Sequence, residues 1–206
     1  MTNIILIGPP GSGKGTQAEM LKKQLHLDHI SSGEVLRKEV STGTDFGNEI
    51  KQYMDKGEIG PVELITKVII EHIKSKTGNG VLLDGFPRTM YQARVLEESI
   101  ETQAAFYIAV SEDEIVNRIT GRRSCTDCGK IYHITYSPPD INDICSCGSQ
   151  LHTRSDDTEE TIKRRISVFQ QDTVPVIDFY RKINKLHTID GEQTKDQIFT
   201  SIVKHL

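Results

Sequence analysis

A glycine-rich loop near the start of the chain has the residue types and the spacing needed to hold a phosphate group. Residues 8–16 read G-P-P-G-S-G-K-G-T and follow a short apolar run. Glycines let backbone N–H groups point inward around an anion, and the N-terminus of a following helix adds positive potential. This spacing also brings the lysine to the β- and γ-phosphates of a nucleotide. The predicted nucleotide ligands in this loop are Gly11, Ser12, Gly13, Lys14, Gly15 and Thr16.

Asp84 is the residue predicted to hold a nucleotide-bound Mg²⁺ ion, through water. It ends an apolar run at residues 81–83, and phosphate-loop enzymes hold Mg²⁺ with an acidic residue across from the loop. An Asp-Gly pair after a strand is also a common turn. The phosphate loop favours the metal-binding interpretation of Asp84 over the turn. Thr16 is predicted to lie near the same ion, although the usual pattern has Ser or Thr at the position of Gly15.

Arginines at segment edges and beside glycines indicate phosphoryl transfer between two polyanions, which needs several cations and the exclusion of water. The formal net charge is −4, from 25 basic and 29 acidic residues, so only a local cluster of cations can hold an anion. An acceptor phosphate needs no strong general base because its second pKa is about 6. The candidate arginines are Arg37, Arg88, Arg118, Arg122, Arg123, Arg154, Arg164 and Arg165.

Short apolar runs that alternate with amphipathic helical patterns predict an α/β fold, in which helices cover both faces of a parallel sheet. The ligands of such a sheet gather at the carboxyl ends of its strands. The predicted strands are residues 4–7, 81–83, 106–110 and 186–189, with a further short strand at 130–133. The predicted helices include residues 14–25, 62–75 and 91–100.

Two segments interrupt this alternation and are predicted to be excursions from one core. Residues 31–60 are helical and polar with repeated glycines, whereas residues 122–159 contain all four cysteines. Gly121 and residues 158–160 are the predicted hinges of the second excursion. The predicted core consists of residues 1–30, 61–121 and 160–206.

The four cysteines form two close pairs whose separation resembles that of a zinc ribbon. The pairs are Cys125 with Cys128 and Cys145 with Cys147. The usual second pair is C-x-x-C, and a loop can absorb the difference of one residue. We therefore predict a structural, tetrahedral thiolate zinc site without an open position for chemistry. His133 and His152 are alternative ligands, and reduced thiols or a disulfide formed under oxidation are the metal-free alternatives.

Motifs in order along the chain resemble those of the adenylate kinase family, which has the P-loop nucleoside monophosphate kinase fold. Residues 8–16 resemble its phosphate loop, including the glycine after the lysine. Residues 32–37 (S-G-E-V-L-R) and 84–89 (D-G-F-P-R-T) resemble its AMP-binding motifs. Residues 118–133 and 154–165 resemble the two halves of the family's long lid. The matches run from residue 4 to about residue 193, and they are diagnostic together rather than singly.

The resemblance implies a phosphotransferase that moves the γ-phosphoryl of Mg·ATP to AMP, with an inserted AMP-binding segment and a small β-rich lid. The implied AMP-binding residues are Ser32, Arg37, Glu58, Ile59, Gly85, Arg88, Gln92, Arg154 and Arg165. Beyond the phosphate loop, the implied ATP-binding residues are Arg118, Arg122 and Gln193. The implied catalytic residues are Lys14, Arg88, Arg122, Arg154 and Arg165. Asp156 and Asp157 are expected to orient arginines of the lid. The expected metals are Mg²⁺ with ATP and structural Zn²⁺.

Other functions are disfavoured by the same residues. A nucleic-acid-binding cysteine ribbon conflicts with the net charge of −4, and a nucleotide switch or ATPase has no use for two inserted segments. Kinases of other nucleoside monophosphates share the fold, so the prediction that AMP is the acceptor rests on the resemblance. Taken alone, Ser32 would be a helix cap and Gln92 an exposed polar residue. Because no apolar run reaches the length of a membrane span and the start does not resemble a signal peptide, we expect a cytoplasmic monomer that binds ATP, AMP and ADP.

Overall fold

The computed structural model describes residues 2–206, and a parallel sheet of five strands forms its centre. The strands, in chain order, are β1 (Ile4–Ile7), β2 (Asp28–Ser31), β3 (Val81–Asp84), β4 (Ala104–Ala109), β5 (Arg122–Cys125), β6 (Ile131–His133), β7 (Leu151–His152) and β8 (Leu186–Asp190). The central sheet has the order β2-β3-β1-β4-β8, and every neighbouring pair is parallel. The carboxyl end of β1 therefore lies between those of β3 and β4.

Helices cover both faces of this sheet. They are α1 (Lys14–Leu25), α2 (Ser32–Ser41), α3 (Asp45–Lys56), α4 (Val62–Lys74), α5 (Met90–Ser99), α6 (Glu112–Thr120), α7 (Glu159–Val168), α8 (Val174–Lys182) and α9 (Lys195–Val203), with a π-helical turn at Phe169–Thr173. Ile5 and Ile7 of β1 join one buried cluster and Ile4 and Leu6 the other, because successive side chains of a strand point to opposite faces. Within residues 2–206, each helix is too short or too polar to cross a bilayer.

The predicted α/β fold with a parallel sheet is confirmed. The predicted strands at 4–7, 81–83, 106–110 and 186–189 correspond to β1, β3, β4 and β8. The sequence did not predict β2, which lies at the edge of the sheet and has Ile30 as its one fully buried residue. An edge strand with polar residues such as Asp28 and His29 lacks the continuous apolar run that marks a central parallel strand.

Residues 31–60, which we call the flap, follow β2 and form α2 and α3. Thr44 caps α3 by accepting the backbone N–H of Gly47 on Oγ1 at 3.1 Å. The helix ends at Gly57, whose φ of 72° is a left-handed conformation that glycine adopts without strain. Glu58 and Ile59 follow this turn and line a cavity together with residues of the core.

Residues 122–159, which we call the lid, contain a second sheet of order β6-β5-β7 in which the pairs are antiparallel. Its small buried cluster consists of Cys125, Tyr132, Cys145 and Leu151. Two of the four cysteines are thus part of the lid's own buried core.

Candidate active site

The phosphate loop joins β1 to α1 and wraps around the side chain of Lys14. Gly11 and Gly13 have φ values of 77° and 90°, which a residue with a Cβ would adopt only under strain. The Lys14 ammonium donates to the backbone carbonyls of Gly8 at 2.7 Å and Pro9 at 2.8 Å. It also donates to Ser12 Oγ at 3.2 Å. The cation is therefore held at the mouth of the loop, where an anion would enter.

The environment of Lys14 is electropositive. The pKa of Lys14 is lowered from 10.5 to about 8, chiefly by burial; Asp84 partly opposes this, and the charges of Arg88, Arg165 and Arg122 add to the lowering. Three arginines from distant parts of the chain are thus close enough to Lys14 to influence its titration. A phosphate placed among them would relieve this repulsion, because it supplies the missing negative charge.

Asp84 lies at the carboxyl end of β3, close to the phosphate loop. Burial opposes its ionisation, but contacts with His29 and Lys14 outweigh burial and hold its pKa below the usual value. His29 Nε2 lies 3.8 Å from Asp84 Oδ2, and its Nδ1 lies 3.4 Å from Glu19 Oε1. Burial opposes the charged form of His29, yet Asp84, Glu34 and Glu19 outweigh it and raise the pKa of the imidazole. The carboxylate is therefore ionised beside the loop.

The pairing of His29 with Asp84 makes the stability of the protein depend on pH. The pKa of His29 is raised above its usual 6.5, and that of Asp84 is lowered below its usual 3.8. The stabilisation is therefore complete between pH 3.8 and pH 6.5. It is lost as pH rises through the raised pKa of His29, and also in strong acid. His29→Gln is expected to lower the free energy of unfolding by about 1–2 kcal/mol at pH 6 and by less at pH 8. Urea denaturation at both pH values measures this, with His152→Gln, on an exposed lid residue, as the control. An equal loss at both pH values would contradict the pairing.

A cavity between the flap and the core contains most of the residues predicted to bind AMP. Ser32 Oγ donates to the carbonyl of Gly85 at 2.7 Å. Arg88 donates from Nε to the same carbonyl at 2.7 Å and from Nη2 to Ser32 Oγ at 3.3 Å. Ser32 is therefore not a helix cap, a position that Ser31 takes; it helps fix the Arg88 guanidinium. The predicted residues that line the cavity are Ser32, Arg37, Glu58, Ile59, Gly85, Arg88, Gln92 and Arg165.

Gln92 and Arg37 both line this cavity. Gln92 is only 1% exposed, and its Oε1 accepts the backbone N–H of Arg88 at 2.7 Å, so it is not an exposed polar residue. The Arg37 guanidinium packs over Gly33, where a Cβ would lie 3.2 Å from its Nη atoms. Burial lowers the pKa of Arg37, which shows that its charge is partly removed from water.

Two aspartates of the lid pair with arginines of the lid and of α7. Arg122 forms a bidentate pair with Asp157, whose side chain is fully buried, and its Nε lies 2.9 Å from Oδ2. Arg165 of α7 contacts Asp156 at 3.1 Å and Asp157 at 3.5 Å. Burial, and then the charge of Arg122, lowers the pKa of Arg165 to about 10. Both aspartates are engaged by arginines, which matches the expectation that they orient cations.

Arg154, two residues after β7, is the third arginine near the two aspartates. Its Nε donates to Ser124 Oγ at 2.9 Å. Its pKa is lowered to about 9, chiefly by burial and also by the nearby charges of Arg122 and Arg37. Arg123 and Arg164 differ: Arg123 donates to the carbonyl of Arg122 at 2.8 Å, and Arg164 is half exposed and pairs with Glu58 at 3.2 Å.

The residues predicted at the adenine of ATP lie on α6 and after β8. Arg118 borders the phosphate loop, since its Nη1 lies 4.0 Å from where a Cβ of Gly13 would be. Gln193 is exposed, and its Nε2 donates to Asp190 Oδ2 at 3.3 Å. The Gln193 side chain thus bonds within its own turn, so a contact with the adenine would come from its backbone.

The lid lies against the phosphate loop and the flap in this structure. A Cβ on Gly15 would lie 3.2 Å from Ile131 Cδ1 of the lid and 3.7 Å from Asp84 Oδ2. A Cβ on Gly129 would lie 3.3 Å from Glu34 Oε1 of the flap. A Cβ at position 15 would therefore be in tight contact with the end of the Ile131 side chain.

The four cysteines come together at one end of the lid. Their Sγ atoms all lie within 4.8 Å of one another, and this is the one such metal-ligand cluster among residues 2–206. Cys125 and Cys147 are 3.6 Å apart and Cys128 and Cys145 are 3.4 Å apart, so none is in a disulfide. The alternative ligand His133 instead accepts the N–H groups of Thr135 and Tyr136 on Nδ1.

His29 is the site residue that the sequence analysis missed. In the register of β2 and β3, Ser31 lies opposite Asp84 and His29 opposite Leu82. A polar residue in an unrecognised edge strand carries no local pattern, so only the parallel pairing connects it to Asp84.

Known proteins resemble this chain along nearly its whole length. A family model described as "Adenylate kinase" matches residues 6–185. The chain is 44% identical over 212 residues to an adenylate kinase of Clostridium perfringens (strain SM101 / Type A), covering 98% of this chain and 97% of that protein. It is 42% identical to an adenylate kinase of Thermosipho melanesiensis, over 98% of this chain and 97% of that protein. It is 43% identical to one of Archaeoglobus fulgidus, over 94% and 92%. Together with the phosphate loop and the arginines around it, these matches show that the chain belongs to the adenylate kinase family.

Proposed function

We propose that this chain transfers the γ-phosphoryl group of Mg·ATP to AMP, giving two ADP, between the phosphate loop, the flap and the lid. The observation that carries this proposal is the group formed by Lys14, Arg88, Arg122 and Arg165. The charges of the three arginines lower the pKa of Lys14, and those of Arg122 and Arg88 lower the pKa of Arg165. Two polyanions can meet only where such a group offsets their repulsion, and the same charges stabilise the transition state.

On the donor side, Lys14 and the backbone N–H groups of the phosphate loop hold the β- and γ-phosphates. Arg118 lies flat on the adenine, as guanidinium planes do on aromatic rings, and the backbone at Gln193 borders the same base. When bound with ATP, Mg²⁺ neutralises charge on the phosphate oxygens, and Asp84 and Thr16 would hold it through water.

On the acceptor side, the cavity between the flap and the core receives AMP. Arg37 and Arg88 bind its phosphate, and Ser32 and Gly85 hold Arg88 in place. Gln92 and the backbone at residues 58–59 read the edge of the adenine. The acceptor oxygen is already ionised near neutral pH, so this site needs no general base.

Transfer then depends on the cations between the two sites. Arg122, Arg154 and Arg165 offer bidentate donors to the oxygens of the moving phosphoryl group. The lid, swinging near Gly121 and residues 158–160, excludes water that would otherwise accept the phosphoryl group. Asp156 and Asp157, which pair with Arg122 and Arg165, keep those two guanidinium groups in place while the lid closes.

The acceptor is identified by measuring ADP formation from Mg·ATP with AMP, CMP, UMP or GMP, and with ATP alone. Activity with AMP only supports the proposed acceptor site. A preference for another monophosphate would overturn AMP while keeping the fold. ATP loss that needs no acceptor would favour a hydrolase. We expect the enzyme to act as a cytoplasmic monomer, in a compartment that keeps its thiols reduced.

We also propose that the four cysteines hold a structural Zn²⁺ ion in the lid. Zn–S bonds of about 2.3 Å in a tetrahedron separate sulfurs by about 3.8 Å. The two close pairs, at 3.6 and 3.4 Å, fit that geometry. Four protein ligands leave no position for water, so the metal would stabilise the lid rather than take part in the chemistry.

Removal of this metal is expected to lower the melting temperature by about 5–10 °C, because structural zinc contributes directly to folding. Calorimetry with and without a strong chelator measures the shift, and elemental analysis measures the metal. Cys128→Ser should reduce the bound zinc, whereas Thr126→Ala, between the first two cysteines, should leave it unchanged. A metal-free protein with an unchanged melting curve would contradict the zinc site.

A further inference from the structure

Arg118 is held by a carboxylate one turn earlier on α6. Its Nε donates to Glu114 Oε1 at 2.7 Å, and the two side chains are only 17% and 21% exposed. Exposed pairs at this spacing contribute little to helix stability. This pair is largely shielded from water, so its geometry is more restrained than that of an ordinary surface pair.

The lid adds an aromatic ring to this pair. The Cζ atom of Arg118 lies 5.9 Å from the centre of the Tyr136 ring, and the Tyr136 hydroxyl lies 3.4 Å from Glu114 Oε2. The His133 ring packs against Tyr136 at a tilt of 31°, with ring centres 4.5 Å apart. One carboxylate thus contacts both the arginine of the core and the tyrosine of the lid.

The other nearby carboxylate, Glu192, has a different partner. Its Oε1 accepts the backbone N–H of Ser111 at 2.8 Å, at the start of α6. Glu114 is therefore the carboxylate bonded to the Arg118 side chain. The guanidinium has one edge fixed by Glu114, an aromatic ring beside it, and Nη1 near Gly13 of the phosphate loop.

We propose that Glu114 is a positioning residue for the donor nucleotide: it fixes the plane of Arg118 against the base of ATP and, through Tyr136, links that plane to the closed lid. This inference rests on the proposed role of Arg118 at the adenine. A guanidinium held at one edge loses little freedom when a base stacks on it, so the base binds more tightly. The phosphates, which the loop holds, should not depend on Glu114.

The test compares two ligands that share the triphosphate but differ in the base. Calorimetry measures the Kd of Mg·ATP and of inorganic tripolyphosphate, in the absence of AMP. Glu114→Ala is expected to weaken ATP binding about tenfold and to leave tripolyphosphate binding within about twofold. Glu114→Gln, which keeps the shape and an acceptor, should weaken ATP binding by about threefold. Asp113→Ala, on the exposed neighbour, is the control and should change neither Kd.

The link to the lid is tested in the same assay with Tyr136→Phe, which removes only the hydroxyl. Combining it with Glu114→Ala should cost less than the sum of the two single effects, because both remove the same contact. Unchanged ATP binding in both Glu114 variants, or an equal loss for ATP and tripolyphosphate, would overturn the positioning role. Since no acceptor is present, these results are independent of whether AMP is the acceptor.

Discussion

Replacing Arg88 with alanine is expected to lower kcat/KM for Mg·ATP and AMP by about two to three orders of magnitude, the usual cost of losing one charge-stabilising group. The Arg88 guanidinium is fixed before any ligand binds, by the carbonyl of Gly85 and by Ser32. It also lies close enough to Lys14 to lower that residue's pKa. Its loss should therefore remove acceptor binding and transition-state stabilisation together.

Steady-state kinetics with both substrates varied measures this effect. Arg88→Lys should recover little activity, since an ammonium cannot make the two directed contacts of a guanidinium. Arg94→Ala, on the exposed side of α5, is the matched control and should retain normal kinetics. Near-normal activity in Arg88→Ala, with the fold intact, would show that the acceptor phosphate binds elsewhere.

Lys14→Met should lower kcat/KM by about three orders of magnitude without lowering the melting temperature at neutral pH. The pKa of Lys14 falls from 10.5 to about 8, with burial as the largest cause, so folding disfavours its charged form. This cost is complete below pH 8 and disappears as pH rises toward 10.5. The neutral side chain of methionine removes this cost at every pH. It also removes the cation that the phosphate loop needs for function.

The pH dependence separates this explanation from a simple structural effect. The melting temperature of Lys14→Met relative to the unchanged protein should be highest at pH 7 and should fall as pH rises above 8. Lys23→Met, on the exposed face of α1, should show no such trend. A variant that melts well below the unchanged protein at pH 7 would mean that the ammonium stabilises the loop.

Local patterns were sufficient to predict the parts of the fold that depend on neighbours in sequence. The four apolar runs of the central sheet and the glycine-rich loop each carry their own pattern. β2 does not, because an edge strand with one fully buried residue has no such pattern. The role of His29 was missed for the same reason.

The pairing of charges could not be read from the sequence. Arg122 and Asp157 are far apart along the chain, and only the folding of the lid onto α7 brings them together with Arg165. Glu114 lies four residues before Arg118, so the helical spacing alone could have predicted their contact. The second contact of Glu114, with Tyr136, depends on the closed lid. The glycine at position 15 departs from the usual phosphate-loop pattern, and its proximity to Ile131 of the lid is visible only in the folded chain.

A label-transfer experiment tests phosphoryl transfer from ATP to AMP most directly. The enzyme is incubated with Mg·ATP labelled at the γ-phosphate and with unlabelled AMP, and the products are separated. We expect the label in the β-phosphate of ADP, with two ADP formed for each ATP consumed. Label released as inorganic phosphate, at the same rate with and without AMP, would contradict phosphoryl transfer and leave a hydrolase.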